Sequence, residues 1–344
     1  MTNFVQDDIA WGPSSIRDKS SYLYTYTCHE TERELCFMEL AELFGHMPDE
    51  EDWLESEQWV DPDRSPFLSA CLDVRVTGDS IEQMAEQAGQ IQLRNATFKV
   101  VSLKAGDPYT YDQLREFERR VGRRIAGTAQ MKSPDITFGM ISIDGIWRLG
   151  ILQEPARAWL KHKQKPQNYS TGLSSRLARA LVNIAAPEPD GVMLLDPCCG
   201  MGNVLIEALS MGISVEGCDI NPLAVRGARV NLKHYGYDDN IVAIHDMNTW
   251  QGHYDAAILD LPYNVCSVFP EEEKLKMLHS LHRLADRAVI ISTEPLREHL
   301  RETGWKVLRH STTRKGSFVR EIWLCVSIPQ DRNQISSSRS CPGG

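Results

Sequence analysis

Four aspartates in the second half of the chain, Asp196, Asp219, Asp246 and Asp260, each stand at the end of a short apolar run. A carboxylate at the end of a strand is well placed to hold a ligand, and the residues around these four narrow the ligand's chemistry. Asp196 opens the stretch Asp196-Pro197-Cys198-Cys199-Gly200-Met201-Gly202-Asn203. Two glycines there let the backbone pass close to a bound molecule where a helix begins and its free amides point outward. A dinucleotide fingerprint needs a third glycine, but Leu205 occupies that place, which weakens a pyrophosphate reading. Asp219 can accept both hydroxyls of a ribose, and Asp246 can meet an adenine amine. A nucleoside cofactor without a pyrophosphate fits these three positions. The fourth run ends in Asp260-Leu261-Pro262-Tyr263-Asn264, a carboxylate next to a proline and an aromatic ring.

The elements around these residues alternate. Strands over Val192 to Leu195, Ser214 to Ile220, Ile241 to His245, Asp255 to Asp260 and Arg287 to Ser292 are interleaved with helices. Those helices are Val204 to Met211, Pro222 to Tyr235, Glu272 to Ala285 and Leu296 to Thr303. Such a βαβ series predicts a doubly wound, Rossmann-like α/β sheet of parallel strands. Trp305 to Thr312 and Phe318 to Ser327 flank a turn at Lys315-Gly316, so the series should close with an antiparallel pair. The first part of the chain reads as α+β. Tyr22, Tyr24 and Tyr26 alternate as in a half-buried strand, and Glu30 to Phe44 has helical spacing. Pro48 to Pro66, acidic and flanked by prolines, reads as a loop. Cys71 to Thr77 and Phe98 to Leu103 read as strands, Ile81 to Ala88 and Tyr111 to Val121 as helices, and Ile136 to Leu152 as a hairpin turning at Asp144-Gly145. The expected organisation is an N-terminal α+β region over 1–160, a basic linker and first helix over 161–190, the doubly wound domain over 191–328, and a serine-rich disordered tail over 329–344.

From about Tyr169 to Ser327 the chain resembles S-adenosylmethionine-dependent methyltransferases whose Asp/Asn-Pro-Pro-Tyr signature marks methylation of an exocyclic or amide nitrogen. Leu261 stands in place of the first proline. Asp135-Ile136-Thr137-Phe138-Gly139 to Gly150, Tyr169 to Ala185 and Asp196 to Gly202 are, taken together, similar to the THUMP-containing tRNA guanosine N2-methyltransferases. The resemblance implies S-adenosyl-L-methionine as cofactor, a guanosine N2 amine of tRNA as target, and a THUMP-like RNA-binding role for residues 1–160. It implies that Asp196, Gly200 and Gly202 hold the methionine moiety, Asp219 the ribose and Asp246 the adenine. In the catalytic motif Asp260-Leu261-Pro262-Tyr263, it implies that Asp260 and the carbonyl of Leu261 accept the target amine's hydrogens while Tyr263 stacks on the base. An aromatic amine is a poor nucleophile because its lone pair is delocalised into the ring. Two acceptors that draw its hydrogens toward tetrahedral geometry free that pair, and proximity does much of the rest. The same signature also serves amines of ribosomal RNA, DNA adenine and glutamine amides. A non-catalytic RNA-binding protein that kept the fold is a further reading.

The charge pattern bears on the partner. The 344 residues carry 47 acids and 37 bases, a net charge of -10, which at first sight argues against nucleic acid. Thirteen of the acids lie between Glu30 and Asp63, beside the single base Arg33, and this block reads as a solvated surface. Pro155 to Pro187 holds six bases and no acid, and Lys161, Lys163 and Lys165 there are the candidate RNA contacts. Nine cysteines without a CxxC pair read as free thiols, and no histidine spacing suggests a metal. No apolar run is long enough to cross a bilayer, and Asp7 and Asp8 sit where a signal peptide would carry basic residues. The expectation is a cytoplasmic protein without membrane contact.

Overall fold

The computed structural model describes residues 8–12, 21–49, 51–168, 172–262 and 270–328, so the tail expected over 329–344 lies outside the described residues. The chain folds as two compact units. One takes the described residues up to His29 together with Leu43–Ala158; the other takes Glu30–Glu42 and the described residues from Trp159 onward.

The first unit is one sheet with two helices. Its strands are β1 (Ile9–Ala10) and β2 (Ser21–Tyr26), then, after helix α1 (Arg33–Phe44), β3 (Trp53–Ser56) and β4 (Leu68–Gly78). Helix α2 (Ile81–Ala88), β5 (Gln92–Ser102), helix α3 (Tyr111–Gly122), β6 (Ala126–Ala129), β7 (Ile136–Ile143) and β8 (Ile146–Gln153) follow. The spatial order is β1-β5-β7-β8-β4-β2-β3, with β6 also on β5. Ser80 caps α2, and Thr110 with Gln113 forms a capping box on α3, which satisfies amides that the first helical turn leaves free. A core of Phe98, Phe138, Met140, Leu149 and Met84 fills this unit. The predicted β7–β8 hairpin is present. Its turn places Asp144 (φ 52°) and Gly145 (φ 78°) in the left-handed region, as a two-residue hairpin connection requires. The Asp107 carboxylate accepts the amides of both turn residues and the Ser142 hydroxyl, and these bonds hold it below the usual carboxylate range.

The acidic stretch between Pro48 and Pro66 is not all loop. Trp53–Ser56 forms β3 at the sheet edge, antiparallel to β2. Leu54 is buried and Trp53 packs against the Leu23 and Leu72 core, while Glu55 faces outward and pairs with Arg148, so two apolar residues anchor a strand that charge otherwise masks.

The second unit is the doubly wound sheet. Helix α4 (Ser175–Ala185) leads into β9 (Met193–Asp196), α5 (Asn203–Ser210), β10 (Ser214–Asp219), α6 (Pro222–His234), β11 (Val242–Ile244) and β12 (Tyr254–Asp260). Helix α7 (Glu271–Leu284), β13 (Ala285–Ser292), α8 (Arg297–Glu302), β14 (Trp305–Lys315) and β15 (Phe318–Ser327) complete it. The order is β11-β10-β9-β12-β13-β15-β14, parallel from β11 to β13. The antiparallel close has one feature that the alternation did not specify: β15 inserts between β13 and β14. No helix among the described residues is long and apolar enough to cross a membrane.

The sequence reading of the acidic block as solvated surface fails at α1, whose residues up to Glu42 pack within the second unit. Glu42 accepts Arg287 Nη2 and Arg309 Nε, each at 2.6 Å. Buried Glu39 accepts Asn183 Nδ2 at 2.6 Å, and Glu34 Oε2 takes the Thr312 amide at 2.7 Å and its hydroxyl at 2.8 Å. A buried carboxylate such as Glu39 needs a partner of this kind, and the three acids reach α4, β13 and β14. The boundary read at residue 160 therefore misses a segment far upstream.

Candidate active site

A cleft of about 490 Å³ opens where β9, β10 and β12 end, the place where an open α/β sheet offers its loops to a ligand. Asp196, Gly200, Asp219 and Asp260 all line it. Among the described residues no Lys, Arg or His does so.

The register accounts for the convergence. Asp196 stands beside Gly217 on β10, and β12 runs on the other side of β9, so the three strands end side by side. Asp196 is only 3% exposed, and burial, followed by the charges of Asp260 and Asp219, lifts its carboxyl well above the usual range. Burial raises Asp260 to about 7, against the opposing charge of Arg320. Its Oδ1 is buried without a hydrogen-bond partner among the described residues. Asp219 is arranged differently. Its Oδ2 accepts the Gly200 amide at 3.0 Å and its Oδ1 the Asn221 amide at 2.8 Å, and each oxygen keeps a lone pair for a further donor.

The two glycines have separate duties. Gly200 (φ 50°) faces the cleft, and a Cβ there would meet nothing within 4 Å. Gly202 (φ 80°) is the N-cap of α5 and does not line the cleft; a Cβ there would stand 3.3 Å from that of Ala228 on α6. It permits close packing of the loop on α6. Asp246 also stays outside the cleft lining. It sits exposed beyond β11, where its Oδ1 accepts the Asn248 amide and the neighbouring His245 amide donates to the Asp219 carbonyl.

Leu261 is placed by two interactions. Its side chain is buried with Tyr254, Met247 and Met277, and its amide donates to the Ile291 carbonyl at 3.0 Å. A proline could not make that bond, so the departure from the Pro-Pro signature ties the motif to β13. Pro262 is exposed, while Tyr263 and Asn264 lie outside the described residues.

The basic stretch is less open than its charge suggests. Ala158–Gln164 forms a 3-10 helix. Lys161 and Lys163 are exposed, the latter with its ammonium 5.5 Å from the centre of the Trp159 ring. Lys165 does not join them. It is 8% exposed, and burial lowers its ammonium against the opposing charge of Glu207. Arg179 is buried too, 2.9 Å from Glu207, and Arg176 pairs with Glu32 at 3.3 Å. Lys165 is thus corrected from a surface contact to an internal cation.

Sequence reasoning missed the apolar rim. Ile220, directly after Asp219, is 71% exposed, and Leu223 and Ile244 are exposed beside it in sequence or on the adjoining strand. The available signal was an apolar residue just past a strand-end acid, where a polar one would be expected.

Residues 162–314 match the family described as "RMKL-like, methyltransferase domain". The chain is 34% identical over 155 residues to "tRNA (guanine(10)-N2)-dimethyltransferase" of Methanothermobacter thermautotrophicus, which covers 43% of this chain and 46% of that protein. Identity to the protein of the same description from Pyrococcus abyssi is 31% over 140 residues, covering 38% of this chain and 42% of that one. Identity to "U6 snRNA (guanine-N(2))-methyltransferase THUMPD2" of Mus musculus is 26% over 289 residues, covering 76% and 52%. The chain spans about half the length of these relatives.

Proposed function

We propose that this chain, whose residues 162–314 match a methyltransferase domain, transfers a methyl group from S-adenosylmethionine to the N2 amine of a guanosine in RNA, tRNA foremost. The observation that carries the reading is the cleft where three carboxylates converge and, among the described residues, no basic side chain lines the wall. Such a cleft favours a cationic ligand. The unpartnered buried Oδ1 of Asp260 and the open space over Gly200 fit a positively charged sulfonium beside an amine. The similarity to guanine-N2 methyltransferases of tRNA and U6 snRNA supports guanosine in RNA over DNA adenine or a glutamine amide.

In this reading Asp196 and the backbone at Gly200 hold the methionine part, Asp219 the ribose and Asp246 the adenine edge, with Ile220 and Leu223 as the apolar wall. Bound S-adenosylmethionine supplies an activated methyl group on sulfur. The chain's own contribution is to hold and orient the amine. Asp260, when ionised, and the carbonyl of Leu261 accept its two hydrogens, and the bond from the Leu261 amide to Ile291 fixes the peptide that carries this carbonyl. As nitrogen takes the methyl group it must lose a proton, and a carboxyl poised near 7 is suited to receive it. Tyr263 stacks on the base. Residues 1–160 serve as the THUMP-like RNA-binding region, and the exposed Lys161 and Lys163 contact phosphate.

The test is methyl transfer to tRNA and to bulk RNA, read as nucleosides by mass spectrometry, with N2-methylguanosine expected. Binding of S-adenosylhomocysteine without transfer to any RNA would refute catalysis and favour a binding protein. Changing Lys161 and Lys163 to glutamine should reduce the salt slope of RNA binding by about one per lysine and leave cofactor affinity unchanged.

A further inference from the structure

The cleft is completed by residues that precede the sheet in the chain. Gly172 and Leu173, upstream of α4, line it. Two asparagines fasten this upstream strap. Asn203, the first residue of α5, donates from Nδ2 to the Leu173 carbonyl at 2.8 Å. Asn231, fully buried on α6, uses its amide three ways. Its Oδ1 accepts the Gln167 amide at 2.8 Å, and its Nδ2 donates to the Gln167 carbonyl and to the Met201 carbonyl, each at 2.9 Å.

That side chain joins two pieces of backbone, the strap at Gln167 and the glycine loop at Met201. Gly227, one helical turn earlier on the same face, leaves room for the Met201 side chain; a Cβ there would lie 2.1 Å from its sulfur. The strap is further held by His162 Nδ1 on Glu207 at 2.8 Å and by the Tyr235 hydroxyl, which donates to the Lys161 carbonyl at 2.9 Å. Residues of α5 and α6 therefore hold His162, Gln167 and Leu173, and Asn231 also holds the loop.

We infer that Asn231 is a positioning residue that ties Gln167 to the Gly200–Gly202 loop and so fixes the Met201 wall of the cofactor cleft. This rests on the reading of the cleft as the S-adenosylmethionine site. Asn231 is fully buried and does not line the cleft, and its influence passes through Met201. An amide is required because one side chain must both accept and donate. Aspartate would set a carboxylate against two carbonyl oxygens, and leucine would leave the Gln167 amide and carbonyl and the Met201 carbonyl without this partner.

The test uses the full chain and S-adenosylhomocysteine, with affinity measured by calorimetry well below the melting temperature. Asn231→Ala should weaken binding about tenfold, the worth of one lost hydrogen bond at the upper end of its range. Gln167→Pro removes the strap's donor from an exposed position, so it keeps the test alive if Asn231→Ala does not fold, and it should weaken binding to a similar extent. The double variant should bind no more weakly than the worse single variant, because both break one connection. In turnover, KM for S-adenosylmethionine should rise while kcat changes less. A role confined to stability would lower the melting temperature and leave affinity and KM at wild-type values, and that result overturns the inference. If the wild-type protein binds no S-adenosylhomocysteine, the cofactor reading fails by itself. Amide hydrogen exchange over residues 201–206 then decides: faster exchange in Asn231→Ala supports the latch, and unchanged exchange overturns it.

Discussion

Asp260 carries a prediction that separates its cost to the fold from its use in the reaction. Its carboxyl is raised from an ordinary 3.8 to about 7 because burial disfavours the charged form. Each unit of pKa difference corresponds to about 1.4 kcal/mol, so ionising this group inside the fold costs on the order of 4 kcal/mol relative to the unfolded chain. The sign follows from proton counts. Between about pH 4 and 7 the folded protein holds a proton that the unfolded chain has released, so stability falls as pH rises through this window and levels off above it. Asp260→Asn removes the titrating group at nearly constant size. At pH 5, just over one unit above the ordinary carboxylate value, the variant should already be more stable than the wild type by about 1.6 kcal/mol, a few degrees in melting temperature. At pH 8 the variant should be more stable by roughly 10 °C if a domain of this size gains 2–4 °C per kcal/mol. Asp196, which burial shifts in the same direction, should leave part of the fall with pH in the variant. The variant should also lose methyl transfer by about a hundredfold or more at unchanged cofactor affinity, as expected for a group that acts in the transition state. In the wild type kcat/KM should rise with pH through about 7. The assays are thermal unfolding from pH 5 to 8.5 and initial rates over the same range. Parallel stability curves for variant and wild type would refute the argument, since the carboxyl would then be ordinary.

Further outcomes concern other residues. Asp219→Ala frees the Gly200 amide and removes the acceptor that the proposed function gives to both ribose hydroxyls, so calorimetry should show cofactor affinity weaker by about 2–3 kcal/mol. Leu261→Pro, which would restore the familiar signature, should instead destabilise the protein by about 1–3 kcal/mol in denaturant melts, because it deletes the amide that Ile291 binds and a buried side chain. Glu42→Ala leaves Arg287 and Arg309 without their shared carboxylate and should cost about 2–4 kcal/mol by the same measurement, with a Glu42→Gln variant intermediate.

The doubly wound sheet was legible because Asp196, Asp219 and Asp260 each close an apolar run, and strand ends on one edge of a parallel sheet must meet. The roles of Gly200 and Gly202 were not separable, since both permit a left-handed backbone and only packing on Ala228 distinguishes them. Lys165 could not be read as buried because what encloses it, including the charge of Glu207 that opposes the effect of burial, is remote in sequence. The same holds for Glu39 and Glu42, which local composition assigns to solvent and the partners Asn183, Arg287 and Arg309 assign to the interior. The rim at Ile220 shows the reverse case, in which an apolar residue read as part of a strand stands out in solvent.

Helix α1 makes the second unit discontinuous, and this restricts how the protein could be divided or assembled. No single cut in the chain releases that unit whole: a fragment beginning at Trp159 lacks the helix whose Glu42 pairs with Arg287 and Arg309, and its counterpart is left with that acid stranded. During synthesis α1 emerges long before β14 does, so its acidic face must wait for nearly the whole chain before its partners exist. Splitting the protein, swapping its front half with that of a relative, or fusing a new RNA-binding module at residue 159 should therefore succeed only if Glu30–Glu42 travels with the sheet it serves.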